Sequence, residues 1–190
     1  DEIKTLRVTN SPLVEWFAQD EDHFAKVAKP FSPDSIIYCR SKYIYISAST
    51  KEEILDQAER KISDYISQNG YAPKIVVIKG LGLVSIGENA KDCANTEDVY
   101  LDMMKVSYLA QSFGGEHQLS DNQIHFVDNW EAHRPNMKAL NFGRVPNKVF
   151  IITGAAQGFG QGIAKCLIAQ GANIVVADLN EVTGVQTVTE

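Results

Sequence analysis

Residues 148–160 read Lys148-Val149-Phe150-Ile151-Ile152-Thr153-Gly154-Ala155-Ala156-Gln157-Gly158-Phe159-Gly160, and this order of apolar and glycine residues decides the fold of the second part of the chain. The β-branched and aromatic run predicts a strand over 148–153. Glycine then dominates 154–160, Ile163, Leu167 and Ile168 recur at helical spacing over 161–170, and Gly171 precedes a second apolar run over 173–177. Strand, glycine turn, helix and strand in that order make a β-α-β unit, whose strands run parallel. Without a Cβ, Gly154 can turn sharply, Gly158 lets the backbone approach a pyrophosphate, and Gly160 lets the helix pack close to the strand. The helix start aims its unpaired N–H groups at the same anion. The spacing differs from the common G-x-G-x-x-G. Asp178 ends the second strand 24 residues after Gly154, where a carboxylate can accept both hydroxyls of an adenosine ribose and would repel a 2′-phosphate. Gln157 adds no positive charge for such a phosphate, so NAD is expected over NADP. A glycine turn that merely joins a strand to a helix is the plainer alternative, and the strand before it and helix after it weigh against that.

Upstream, Asn10-Ser11-Pro12 is a helix-start signal, and Val14, Phe17, Phe24 and Val27 among many acids predict one long or two short helices in the first 30 residues. After Pro30-Phe31-Ser32-Pro33-Asp34, the runs Ile36-Ile37-Tyr38-Cys39 and Tyr43-Ile44-Tyr45-Ile46 predict two short strands in a hairpin. Thr50-Lys51-Glu52-Glu53 is a capping box, and Ile54, Ala58, Ile62, Tyr65 and Ile66 predict a helix that Asn69-Gly70 stops. The runs 74–78 and 83–86 around Gly80-Leu81-Gly82 predict a β-hairpin. A long helix is expected over about 90–113, central to the core, with Tyr100, Leu101, Met104 and Tyr108 on one stripe and Val99, Met103, Val106 and Ala110 on another. Ser120 caps a further helix over 121–130, and a linker is expected over 136–147.

The chain has 190 residues, 44% of them hydrophobic and 22% charged, enough for one to one and a half domains and a buried core. Eighteen Lys and Arg against 24 Asp and Glu give a net charge of −6 with no basic run, which argues against nucleic acid as a partner. The longest apolar stretches, 75–78 and 174–177, fall far short of the roughly 20 residues of a membrane span, and no signal-peptide pattern is read in the opening residues. Three cysteines, Cys39, Cys93 and Cys166, without C-x-x-C spacing fit a reducing compartment. A cytoplasmic location is expected. His117, His125 and His133 recur every eight residues near Glu116 and Glu131, but that spacing stacks no ligands on a helix, so no metal site is expected among them.

Residues 148–180, with Thr153-Gly154-x-x-x-Gly158-x-Gly160 and the strand-ending Asp178, resemble the opening of a short-chain dehydrogenase/reductase. The resemblance implies a Rossmann fold, NAD as cofactor, and a binding set of Thr153, Gly154, Gln157, Gly158, Phe159, Gly160, Asp178 and Leu179. It also implies a catalytic Ser and a Tyr-x-x-x-Lys pair more than a hundred residues further on, so no catalytic residue is expected in this chain. Tyr38-Cys39-Arg40-Ser41-Lys42 has that spacing but precedes the glycine turn and falls in the expected hairpin, so it receives no catalytic role. The preceding residues resemble, less specifically, the C-terminal part of a class II aldolase/adducin-like domain, through Pro33-Asp34-x-Ile36-Ile37-Tyr38, Val77-Ile78-Lys79-Gly80-Leu81-Gly82, the long helix, and Ser112-Phe113-Gly114-Gly115. Together they are similar to bacterial fusions of a rhamnulose-1-phosphate aldolase with an alcohol dehydrogenase. Such aldolases are zinc enzymes with an H-x-H pair, another His and a nearby Glu; no H-x-H occurs in this sequence.

The expected fold class is therefore α/β, an aldolase/adducin-like part over 1–143 followed by the first β-α-β of a Rossmann fold over 144–190. The chain starts at Asp1 and stops at Glu190 inside an expected helix, which leads to the expectation of a piece cut from a larger protein. That parent would be a bifunctional enzyme of rhamnose metabolism, its aldolase half splitting a ketose phosphate and its dehydrogenase half moving hydride between NAD and a small aldehyde or alcohol. The piece alone is expected to do neither, and zinc, if the parent uses it, would be held elsewhere. The alternative is a non-catalytic, adducin-like scaffold joined to a dehydrogenase. Two strands and one helix are too few to bury a core and leave an unpaired strand edge. Residues 148–190 are accordingly expected to be disordered, to pack on the upstream part, or to pair with another copy, and a homo-oligomer is expected.

Overall fold

The computed structural model describes residues 4–129, 143–146 and 148–189. Of the expected linker at 136–147 only 143–146 are described, as a bend and turn, while His133 and Glu131 lie outside the described residues. The elements are β1 (Thr5–Thr9), α1 (Pro12–Ala18), α2 (Glu21–Ala25), α3 (Pro33–Cys39), β2 (Ile44–Ile46), α4 (Lys51–Asn69), β3 (Ile75–Ile78), β4 (Gly82–Gly87), α5 (Ala90–Ala110) and α6 (Asp121–Asp128). They continue with β5 (Val149–Thr153), α7 (Gly158–Ile168), β6 (Asn173–Ala177) and α8 (Glu181–Thr189).

The first four strands form one sheet in the order β1-β4-β3-β2. The expected hairpin brings β4 antiparallel to β3, with Val77 opposite Leu83, and β1 runs antiparallel on the far side of β4, with Thr5 opposite Gly87. Helix α4 is the crossover that lets β2 lie parallel to β3. All four residues of β3 are buried, because the strand is covered on both faces. With side chains alternating, Val76 and Ile78 join Ile44 and Ile46 under α4, whose Tyr65, Ile54, Ala58 and Ile62 pack on them. On the opposite face Ile75 and Val77 meet Val14 and Phe17 of α1, Cys39 of α3, and Tyr100, Met103 and Met104 of α5. Each fully buried aliphatic side chain contributes about 1.5–3 kcal/mol to holding these layers together.

Two expectations about this part are corrected. Residues 36–39 are not a strand, and no hairpin joins them to β2: Ile36, Ile37, Tyr38 and Cys39 lie in helix α3. The strand preference of their side chains is overridden by the helix start before them, where Pro33 occupies the first turn and the Ser32 hydroxyl accepts the Ser35 N–H at 3.3 Å. The Tyr38-to-Lys42 stretch therefore spans a helix end, with Tyr38 O accepting the Thr96 hydroxyl and Lys42 Nζ donating to Asn69. The second correction is β1, which sequence reading did not anticipate. The remaining helices follow their start signals: α1 and α2 are two short helices, Thr50 accepts the Glu53 N–H, Gly70 closes α4 at φ +75°, and Ser120 with Gln123 forms a complete capping box on α6. Helix α5 ends at Ala110 and passes into a single 3-10 turn, Gln111–Phe113. Tyr100 and Met104 are buried as expected, whereas Val106 and Tyr108 are half exposed.

Arg40, which caps α3, has φ +68° and ψ 178°. A side chain adopts this glycine region only at a cost of about 1–3 kcal/mol.

Strands β5 and β6 pair in parallel, Ile151 opposite Val175 and Thr153 opposite Ala177, as a separate two-stranded sheet. Val149, Ile151 and Val175 share one face of it and remain largely exposed.

The cysteines divide sharply. Cys39 donates to Thr96 O and Cys93 to Ser85 O inside the fold, and burial pushes the Cys39 thiol up to about 12 and raises that of Cys93. Cys166 on α7 is exposed. Since the thiolate is the reactive form, a thiol reagent at pH 8 should label one cysteine per folded chain quickly and all three in denaturant; peptide mapping that finds Cys39 or Cys93 labelled as fast as Cys166 would contradict this packing.

Candidate functional site

The turn between β5 and α7 carries the residues singled out in the sequence. The β5–β6 ladder runs one residue past its strands, where Gly154 N donates to Ala177 O at 2.8 Å, and the chain then swings through Gly154 at φ +65° and Gly158 at φ +60°. Ala155 and Ala156 are buried beneath the turn, while Thr153, Gln157 and Gly158 face outward. Helix α7 starts from Gln157 in extended backbone, and the Gln157 side chain makes no capping bond to its first N–H groups. These amides carry the positive end of the helix dipole and are oriented to receive an anion.

Asp178 lies across the turn from the first strand. Its Oδ2 accepts the Ala156 N–H at 2.9 Å and its Oδ1 the Asn180 N–H at 3.0 Å. These backbone donors, Asn180 first and Ala156 second, hold its carboxyl below the usual carboxylate range. Each oxygen retains a lone pair for a further donor, so the group can fix the turn and still accept hydroxyls. Phe159 and Leu179 flank the turn with almost fully exposed side chains.

Sequence reading missed a clasp behind the turn. The Thr187 hydroxyl donates to Ala156 O at 2.9 Å and accepts from Gln161 Nε2 at 3.1 Å, so α8 and α7 both hold the buried side of the loop. No sequence signal marks Thr187, because the contact exists only once α8 has folded back on β6.

The turn geometry suits a diphosphate. A Cβ at Gly154 or Gly158 would meet no atom within 4 Å, so both glycines border open space beside the uncapped amides. Residues 148–190 match the short chain dehydrogenase family. Among curated relatives, the uncharacterized oxidoreductase YuxG of Bacillus subtilis is 29% identical over 111 residues, 57% of this chain and 16% of its own. Galactitol 2-dehydrogenase of Agrobacterium fabrum is 49% identical over 37 residues, 20% of this chain and 14% of its own. The chain thus spans about a sixth of the length of the curated relatives it matches. Among solved structures, YgbL of Escherichia coli, provisionally described as an aldolase/epimerase/decarboxylase, aligns with a TM-score of 0.46 and 12% identity over 64% of this chain and 56% of its own.

The chain is mixed α/β, with a segment homologous to short-chain dehydrogenases at residues 148–190. Among the described residues no helix is long and apolar enough to cross a membrane, and no group of three or more His, Cys, Asp or Glu is placed to hold a metal. Among the described residues, His117 and His125 belong to no such group.

Proposed function

We propose that residues 144–190 open the dinucleotide site of an NAD-dependent short-chain dehydrogenase and that residues 1–143 are the C-terminal part of a class II aldolase-like domain in the same bifunctional enzyme. The observation that carries the first half is the pairing of an uncapped helix start at Gln157 with the Asp178 carboxylate across the same glycine turn. The amides of α7 would take the diphosphate, Gly154 and Gly158 would give it room, and Asp178 would accept the ribose hydroxyls. A bound nicotinamide supplies the hydride chemistry; Phe159 and Leu179 would shield apolar parts of the cofactor from water.

Support for the second half comes from the extent of the YuxG match. That match covers 111 residues, more than residues 148–190 contain, so the similarity continues upstream of the dehydrogenase segment. Those 111 residues are 16% of YuxG, whereas 37 are 14% of the galactitol dehydrogenase, so YuxG is between two and three times as long. A chain of that length has room for a second catalytic unit. The bare face of Val149, Ile151 and Val175 is where further helices of the dehydrogenase would pack. A ketose phosphate as aldolase substrate, an aldehyde or alcohol for the dehydrogenase, a homo-oligomeric assembly and a cytoplasmic location belong to the same proposal.

The test is Asp178→Arg in the full-length enzyme, assayed with both cofactors. Loss of the ribose acceptor and gain of a phosphate partner should shift the ratio of kcat/KM for NAD over NADP by more than tenfold toward NADP. Because Asp178 also holds the Ala156 amide, both rates will fall, and the ratio is the informative quantity. An unchanged ratio would remove Asp178 from ribose recognition.

A further inference from the structure

We infer that the outer edge of β1 is a contact surface for a second copy of this chain, the two β1 strands pairing antiparallel about Arg7 so that the two first sheets join into one. The inference rests on the homo-oligomer included in the proposed function, to which it gives a surface, and it uses none of the residues of the dinucleotide turn.

The two ends of the sheet are finished differently. At one end β2 has only three residues, all buried, and α4 closes over the chain there: Lys61 Nζ donates to Tyr45 O at 2.7 Å, and Gln57 Oε1 accepts the Ser47 and Ala48 N–H groups at 2.9 and 3.3 Å. A short, covered edge strand does not recruit another. At the other end β1 runs for five residues in unbroken register with β4, without a proline, a lysine or a bulge between Thr5 and Thr9. Ile86 N donates to Lys74 O beside β3, so in the alternation of an antiparallel ladder Gly87, Ser85 and Leu83 turn their backbone groups toward β1. Their partners Thr5, Arg7 and Thr9 turn inward to meet them, which leaves the N–H and C=O groups of Leu6 and Val8 pointing outward, a template for one more strand.

The side chains select a second copy as that strand. Leu6 and Val8 are 62% and 57% exposed and share a face with Ile86 and Val84 opposite them, the face on which α4 packs further along the sheet. In type, β1 reads the same in both directions: Thr, apolar, Arg, apolar, Thr. That symmetry is what an isologous contact requires. Pairing about Arg7 sets Leu6 of each copy opposite Val8 of the other, so that both exchange their outward backbone bonds and the apolar side chains of the two copies form one continuous patch. Thr5 of each copy then faces Thr9 of the other, and cross-strand pairs of both kinds are stabilising. Arg7 falls opposite itself on the two-fold axis, where like charges would oppose the contact. The buried Glu97 of α5 neutralises it, 2.8 Å from Arg7 Nε.

The experiment is sedimentation velocity on the 190-residue chain, with amide hydrogen exchange at the same concentrations. A ladder of one short strand is a small contact, so the mass should move from 21.0 kDa toward twice that value as the chain passes through the micromolar range. The Leu6 and Val8 amides should exchange more slowly as it does so. Leu6→Lys combined with Val8→Lys should raise the dimer Kd at least about tenfold, because the apolar pairs are lost and lysines on an edge repel a second edge. The melting temperature of the dilute chain should hold, since both side chains are more than half exposed. Leu6→Thr with Val8→Thr, which keeps a strand-forming shape and adds no charge, should raise the Kd by less. A chain that stays at 21.0 kDa throughout leaves this edge to a strand from another source and overturns both the contact and the homo-oligomer. A dimer that survives the double lysine variant, or whose concentration-dependent protection falls on β5 and β6 instead of Leu6 and Val8, overturns the contact alone and places the oligomer elsewhere.

Discussion

Tyr100→Ala should destabilise the chain by about 3–5 kcal/mol in urea unfolding, the range for removing a large side chain from a packed core. That is a large part of the 5–15 kcal/mol that holds a typical domain together. Tyr100 is fully buried where α5 crosses the first sheet, its ring packs edge-on against Tyr43 at 4.9 Å, and it belongs to the cluster that joins α1, α3, β3 and α5. Its removal opens a cavity at the junction of four elements, none of which can collapse into it alone. Tyr100→Phe separates the packing from the polar contribution. The Tyr100 hydroxyl donates to Val27 O at 3.1 Å, and without it that buried carbonyl loses its donor, a loss of about 1–3 kcal/mol. The expected order is wild type, then Phe, then Ala. A Phe variant as unstable as the Ala variant would mean that the hydrogen bond, and not the ring, holds α5 to the loop after α2.

What could be read in the sequence and what could not differ by the range of the interactions involved. The β5-α7-β6 unit was legible because each part of it is local: strand, glycine turn, helix and strand follow one another, and the partners Gly154 and Ala177 are only 23 residues apart. Helix α4 and the β3–β4 hairpin were legible for the same reason. Strand β1 was not, because its reason for existing is β4, some 80 residues away, and its apolar Leu6 and Val8 are mostly exposed. Helix α3 was misread because Ile36, Ile37 and Tyr38 prefer strands, while the deciding information was in Ser32 and Pro33. In the candidate site, the glycines and Asp178 stand out by type and spacing. Thr187 and Gln161, which hold the loop from behind, are ordinary residues made important by packing.

Gly160→Ala should disrupt the glycine turn while the neighbouring Gly162→Ala leaves it whole, although both place the same methyl group in the same helix. A Cβ on Gly160 would lie 2.2 Å from Gly154 O and 3.0 Å from the Ala155 Cα, whereas one on Gly162 would meet nothing within 4 Å. The atoms in the way are backbone, so no rotamer change relieves the overlap, and the turn itself must move. It is pinned on three sides: Gly154 N to Ala177 O, Ala156 N to Asp178 Oδ2, and Ala156 O to the Thr187 hydroxyl. Moving it far enough breaks at least one of these bonds at about 0.5–1.5 kcal/mol each, on top of about 1–3 kcal/mol for the overpacking. Gly162→Ala instead gains about 0.5–1 kcal/mol, because alanine is the better residue inside a helix. Hydrogen exchange at the Gly154 and Ala156 amides reads the outcome directly, since both are donors in the pinned turn. Faster exchange at both in Gly160→Ala, with unchanged or slower exchange in Gly162→Ala, is the expected result. Equal protection in the two variants would mean that the turn yields freely, and an arrangement that yields freely could not hold amides and carboxylate in place for a diphosphate and a ribose.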